Sequence, residues 1–212
     1  MVTARRAYRS PIRAKQAQLT RNAILDAAER SFVDAGYAGT TMKDIAERVG
    51  VSVQSVHLFG TKASLLLAAV DRAISDGDGD EMSSTGVDGA FQAAVAARPK
   101  PEKLRRMRAF VRARMPQAAP LLRAFRDAAS SDPAIAQAWR QHEGRRYADV
   151  STFVESCGDL VQPGRSIQQA ADIAWSAIVS PQVADMLMDW RGWTIDEYVD
   201  WAVETFDLLL LR

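Results

Sequence analysis

Cysteine and histidine are nearly absent from this chain of 212 residues: there is one cysteine, Cys157, and two histidines, His57 and His142. A lone cysteine excludes an internal disulfide and a cysteine-built zinc site, and it fits a reducing compartment. Two histidines exclude a multi-histidine metal centre. Long apolar runs are missing too. The longest uncharged stretch of the second half, Ile173–Ala184, carries Ser, Pro and Gln and is far short of the ~18 residues of a membrane span. The basic N-terminus has no apolar core of the signal-peptide kind. A soluble, cytoplasmic protein with no membrane partner is the expectation. There is also no glycine-rich phosphate loop, no nucleophile elbow and no pair of histidines at metal spacing. No catalytic residue is therefore assigned, and no cofactor or metal is expected. Asp76, Asp78 and Asp80 alternate as a calcium loop begins, but Glu81 stands where glycine is required and Val87 where the last ligand belongs.

What is present is an ordinary globular balance, 48% hydrophobic and 25% charged, enough for one large domain or two small ones. The net charge of +1 hides an asymmetry. Residues 1–62 hold ten Lys/Arg against five Asp/Glu, and the remainder seventeen against twenty-one. Six basic side chains and no acid lie in residues 1–21 (Arg5, Arg6, Arg9, Arg13, Lys15, Arg21). A basic front on a mildly acidic body points to an anionic partner for the front alone. Three readings of this segment stand: a solvated tail, an arm reaching a groove or phosphate, or a first helix extended back to Ser10-Pro11.

The periodicity is helical almost throughout, so the expected fold class is all-α. Ile24, Ala28 and Phe32 line one face of a first helix that ends at Ala35-Gly36. Thr41 and Asp44 have capping-box spacing and start a short second helix that Gly50 breaks. Ser52 caps a third, running to about Leu58, and Thr61 caps a long fourth. Residues 76–89, with four Gly and five acids, form the clearest linker. Further helices are expected near 88–98, 102–115, 117–130, 133–157, 165–179, 182–190 and 194–211, divided by proline and glycine. His142, among Arg140, Glu143, Arg145 and Arg146, reads as part of a solvated face, and Cys157 as a small residue at a helix end.

The three short helices between residues 20 and 60 have the spacing of a helix-turn-helix. Ala46 lets two helices cross closely, Gly50 accepts the positive φ of the turn, and Val56 plugs the crossing. The second helix of such a unit lies in the major groove. Its polar face here is Ser52, Gln54, Ser55 and His57, and Gln suits a bidentate contact with adenine. Thr40, Thr41 and Lys62 stand at helix N-termini, where phosphate oxygens are well received. Together these seven residues are the expected DNA-binding set.

Thr20-Arg21, Ile24-Leu25, Ala27-Ala28, Phe32, Gly36-Tyr37, Thr40-Thr41-Met42, Ile45-Ala46, Gly50-Val51-Ser52, Phe59, Lys62 and Leu65-Leu66, taken in order, resemble the N-terminal signature of TetR-type transcriptional regulators. The resemblance covers roughly residues 20–66. It implies a homodimer that binds a palindromic double-stranded DNA operator, and a divergent C-terminal domain for a small-molecule effector. The chain departs from the pattern once: His57 takes the place of a tyrosine, and Phe59 follows after one residue instead of two. The expected organisation is a DNA-binding domain with a basic arm over 1–66 and a ligand-binding and dimerisation bundle over 67–212. Phe110, Phe125, Trp139 and Tyr147, concentrated in the middle third, are the expected lining of an effector cavity. Ile167, Ala171, Trp175, Ile178, Tyr198, Trp201, Ala202, Phe206 and Leu209 supply the apolar faces of an expected two-fold interface. The competing reading is a helical ligand-binding or interaction module with a vestigial DNA-binding head.

Overall fold

The structure, a computed structural model, describes residues 11–74 and 89–212. The first ten residues of the basic block, and the acidic linker with Asp76, Asp78 and Asp80, lie outside the described residues. Among the described residues ten α-helices follow in order: α1 Pro11–Gly39, α2 Met42–Val49, α3 Val53–His57, α4 Lys62–Ile74, α5 Gly89–Ala96, α6 Lys100–Ala129, α7 Pro133–Cys157, α8 Ile167–Ile173, α9 Pro181–Asp185 and α10 Ile195–Leu210. Among the described residues there is no strand, only an isolated bridge between Val161 and Leu211. The fold class is all-α. The chain divides into two compact units, 1–69 and 70–212, and the division falls within α4.

In the first unit α1 is already helical at Pro11, the first described residue, so the first helix extends back at least that far. Helical geometry fails at Gly36 (φ 67°, ψ 177°). The α1 stripe of Ile24, Ala28 and Phe32 is buried with Ile45, Ala46, Val56, Leu65, Leu66 and Ala69. Along α1 the stripe recurs every four positions, as an amphipathic helix requires.

The second unit is a bundle built around α6. That helix is continuous for 30 residues, with Pro116 and Pro120 inside it. The expected break between 115 and 117 does not occur, and no helix starts at 117. Each proline forgoes one backbone donor and crowds the preceding turn. The packing of α6 against α5, α7, α9 and α10 holds the helix through both. Its basic face meets acids of the last helices: Lys100 with Asp207 (2.6 Å), Arg108 with Asp200, Arg112 with Asp196 (3.0 Å), Arg123 with Asp189, and Arg126 with Asp185 (3.2 Å). Asp185 is buried, and that burial pushes its carboxyl up despite the flanking arginines. Both α8 and α9 run on through a wider, π-helical turn, Ala174–Ile178 and Met186–Trp190 respectively.

The apolar faces expected to be surplus to the protomer are largely used inside it. Ala171, Ile178, Tyr198, Ala202 and Phe206 are all buried in the unit's own core. Among large hydrophobics of the last third, Met186, Trp190, Leu208 and Leu209 are left exposed.

Candidate nucleic-acid interface

Local chemistry sets the helix-turn-helix. The Thr41 hydroxyl accepts from the Asp44 N–H (3.2 Å), and Asp44 Oδ2 accepts from the Thr41 N–H (2.8 Å) and hydroxyl (2.7 Å). This reciprocal cap satisfies donors that a helix start leaves free, and the Thr41 side-chain bond, followed by its backbone bond, draws the Asp44 carboxyl below its usual range. Gly50 ends α2 in the left-handed region (φ 76°, ψ 33°), its N–H donating to the Ala46 carbonyl at 2.9 Å. A side chain there would be strained. Ala46 and Val56 are buried at the crossing of α2 and α3.

The third helix is only five residues long. Its N-cap Ser52 accepts from the Ser55 N–H (3.1 Å), and the two hydroxyls lie 2.8 Å apart in a mutual hydrogen bond. Ser52, Gln54 and His57 are exposed, and Ser55 is half-buried. The turn shortened by one residue closes through the Leu58 N–H on the Gln54 carbonyl (3.2 Å) and the Phe59 N–H on Val56 (3.0 Å). Gly60 follows with φ 152°, and a Cβ placed on it would come 2.2 Å from Ser64 Oγ. At that φ any side chain would be strained, even where the Ser64 hydroxyl swings aside. Phe59 is half-buried, while Leu58 beside it is 83% exposed.

Not all seven expected DNA-binding residues offer free groups. Thr40 is 1% exposed, and its hydroxyl lies 2.8 Å from the carbonyls of both Ser31 and Gly36. The Lys62 ammonium donates to the carbonyls of Tyr37 (2.9 Å) and Thr40 (3.0 Å) and sits 4.2 Å from the centroid of the Tyr37 ring. Lys62 thus clamps the end of α1. Thr41 and Ser52 serve as caps through their side chains and the Ser55 hydroxyl pairs with that of Ser52, which leaves Gln54 and His57 as the polar groups of α3 with no protein partner among the hydrogen bonds described.

Residues 24–69 match the family of bacterial regulatory proteins of the tetR type. That stretch of the chain is a TetR-type helix-turn-helix. The chain is 45% identical over 58 residues to the HTH-type transcriptional regulator TtgR of Pseudomonas putida, a match spanning 27% of this chain and 28% of TtgR. The chain thus aligns with little more than a quarter of that relative. Across the whole fold, it is similar to SmeT, the repressor of the Stenotrophomonas maltophilia multidrug efflux pump SmeDEF (18% identity, TM-score 0.65, 92% of each chain), a protein also solved with triclosan. It is similar as well to NalD, the secondary repressor of the MexAB-OprM multidrug efflux pump of Pseudomonas aeruginosa (21% identity, TM-score 0.57, 93% of this chain and 98% of NalD). At such identities the likeness is one of fold.

In the second unit the four aromatics expected to line a cavity fall into three places. Phe110 packs on Phe91, with ring centroids 5.6 Å apart. Phe125 and Trp139 meet edge to face at 5.2 Å. Tyr147 stacks edge-on with Trp175 (5.7 Å) and donates its hydroxyl to Asp172 (2.9 Å). Surface depressions of this unit are lined by residues 162–173 and 93–106, and none of the four aromatics borders them.

Two residues of this unit were misread or missed in the sequence. His142 is 7% exposed, not on a solvated face, and its ring packs on Phe125 and Trp139 at 5.9 and 5.7 Å. Its Nε2 has no hydrogen-bond partner among the described residues, and burial holds its pKa down to about 4. Charged residues on both sides in sequence hid this, because a helix of alternating exposure presents only every third or fourth residue inward. Lys103 is 1% exposed and donates to the carbonyls of Ala94 (3.1 Å) and Val95 (2.7 Å) and to Ser156 Oγ (2.7 Å). It caps the end of α5, a role with no local sequence signal. Burial draws its ammonium pKa down, while three acceptors favour the charged form. Cys157 is buried, and that burial pushes its thiol up, as befits a packing residue.

Proposed function

We propose that this chain is a DNA-binding transcriptional regulator, a non-enzymatic repressor released from a palindromic operator by a small-molecule effector. The observation that carries the reading is the helix-turn-helix itself. Residues 24–69 match the TetR family, and within them α3 presents Gln54 and His57 to solvent while Val56 locks it onto α2. In this reading residues 1–66 grip DNA and residues 67–212 receive the effector and pair two copies. Two heads then enter successive major grooves about one helical turn, ~34–36 Å, apart. The effector acts by its differential affinity for a chain whose heads are spaced otherwise. SmeT, a neighbour in fold, has been solved with triclosan, which supports a small apolar molecule as the class of effector. No described helix is long and apolar enough to cross a membrane, which agrees with a cytoplasmic site of action.

Gln54 is assigned to an adenine edge, and His57, exposed at the end of α3, to the neighbouring backbone or base. Selection of duplexes from a random pool by the full chain tests the whole reading. The expected product is a palindrome with half-sites one turn apart. Gln54→Ala should weaken it by about 1–3 kcal/mol and relax preference at one base pair per half-site. Enrichment of no sequence at all, with the chain folded, favours a vestigial head.

A further inference from the structure

The outward face of α3 is less polar in space than in sequence. Ser52 and Ser55 turn their hydroxyls on each other at 2.8 Å. Val56 is fully buried on the opposite side. Val53, Gln54, His57 and Leu58 remain, and they are the exposed residues of 53–58. Their positions, i, i+1, i+4 and i+5, make one contiguous patch, with Val53 above His57 and Gln54 above Leu58. Two of the four are apolar. Leu58 at 83% is the most exposed large hydrophobic among the described residues, and Val53 is 37% exposed. A single exposed leucine is ordinary. Two apolar side chains interleaved with the residues aimed at bases are a reading surface.

Resting on the DNA-binding reading above, we propose that Val53 and Leu58 recognise thymine methyl groups in the major groove, beside the adenine read by Gln54. In the major groove only thymine offers an apolar group. An aliphatic side chain against cytosine N4 or adenine N6 would strip water from a donor and return no hydrogen bond. Leu58 stands one helical turn from Gln54, about 6 Å along the axis. With base steps of about 3.4 Å, its thymine lies within one or two pairs of the Gln54 contact. Each half-site therefore carries A·T pairs at the centre of the α3 footprint.

The operator selected by the full chain is resynthesised with each thymine of a half-site replaced in turn by deoxyuridine, which lacks only the methyl. Burying one methyl is worth about fourfold in affinity. Replacement at one or two positions should weaken the wild type about fourfold. The penalty at one of them should vanish in Leu58→Ala, and at a second in Val53→Ala. Neither side chain is in the core, so both variants should keep the wild-type melting curve. If the duplex is bound but indifferent to deoxyuridine everywhere, or if the penalties persist undiminished in both variants, the proposal is overturned while the DNA-binding reading stands. If no duplex is enriched, both fall.

Discussion

Lys62 offers a choice between two jobs that a single variant separates. As a phosphate contact it would contribute to DNA affinity alone. As the structure places it, the ammonium makes two charge-assisted hydrogen bonds to the carbonyls of Tyr37 and Thr40 and lies over the Tyr37 ring. Such bonds are worth about 1.5–3 kcal/mol each, and a partly solvated cation–π contact about 0.5–1. The site is half-buried, so water replaces part of what is lost, and Lys62→Met should cost roughly 2–4 kcal/mol of first-unit stability. For a unit of this size that is on the order of 10–30 °C in melting temperature. The assay is hydrogen exchange of the α1 and α2 amides in the full chain, beside operator titrations over a range of salt. The expected result is faster exchange around residues 37–46, weaker binding at every salt concentration, and an unchanged salt slope. A phosphate contact predicts the reverse: native exchange and a slope reduced by about 0.9 for each head bound. That pattern would refute the clamp.

Lys103→Met should strand the carbonyls of Ala94 and Val95, cost about 2–4 kcal/mol in urea denaturation, and speed exchange in α5; a variant as stable as the wild type would show that the cap is idle. His142 links stability to pH. Its folded pKa is held below the ordinary value of 6.5, at about 4, so the unfolded chain takes the proton first and stability is lost as pH falls from about 6.5 to 4. The full difference approaches about 3 kcal/mol. His142→Leu should flatten that part of the profile, leaving the opposite-signed effect of Asp185, whose raised pKa relieves an unfavourable buried charge as pH falls; an unflattened profile would place the titration elsewhere. Sedimentation at micromolar concentration should give about twice 23.3 kDa, and Trp190→Asp or Leu208→Asp, at exposed apolar positions, should shift it toward the monomer. If neither does, pairing uses another face.

Most of the first unit was determined by the sequence alone, because its punctuation is local. The Thr41–Asp44 box, the Ser52 cap, the left-handed Gly50 and the Thr61 cap of α4 (Ser64 N–H to Thr61 Oγ1, 3.2 Å) each join residues two to four apart. Such contacts form wherever the chain turns, whatever packs on it later. Ala46 and Val56 were legible for the same reason: the helix-turn-helix brings its own crossing residues together within a dozen positions. Other features depended on partners remote in sequence. Lys62 reaches back 25 residues to Tyr37, and Lys103 forward 53 to Ser156. His142 is inward because α6 supplies Phe125. Pro116 and Pro120 do not break α6 because four neighbouring helices hold it. Phe110, Phe125, Trp139 and Tyr147 are alike in type but part company because each helix face selects its own neighbour. Residue type and spacing determine which side chains avoid water and where helices start and stop. Which apolar face meets which, and which charge lies beneath it, is decided only when the helices close on one another.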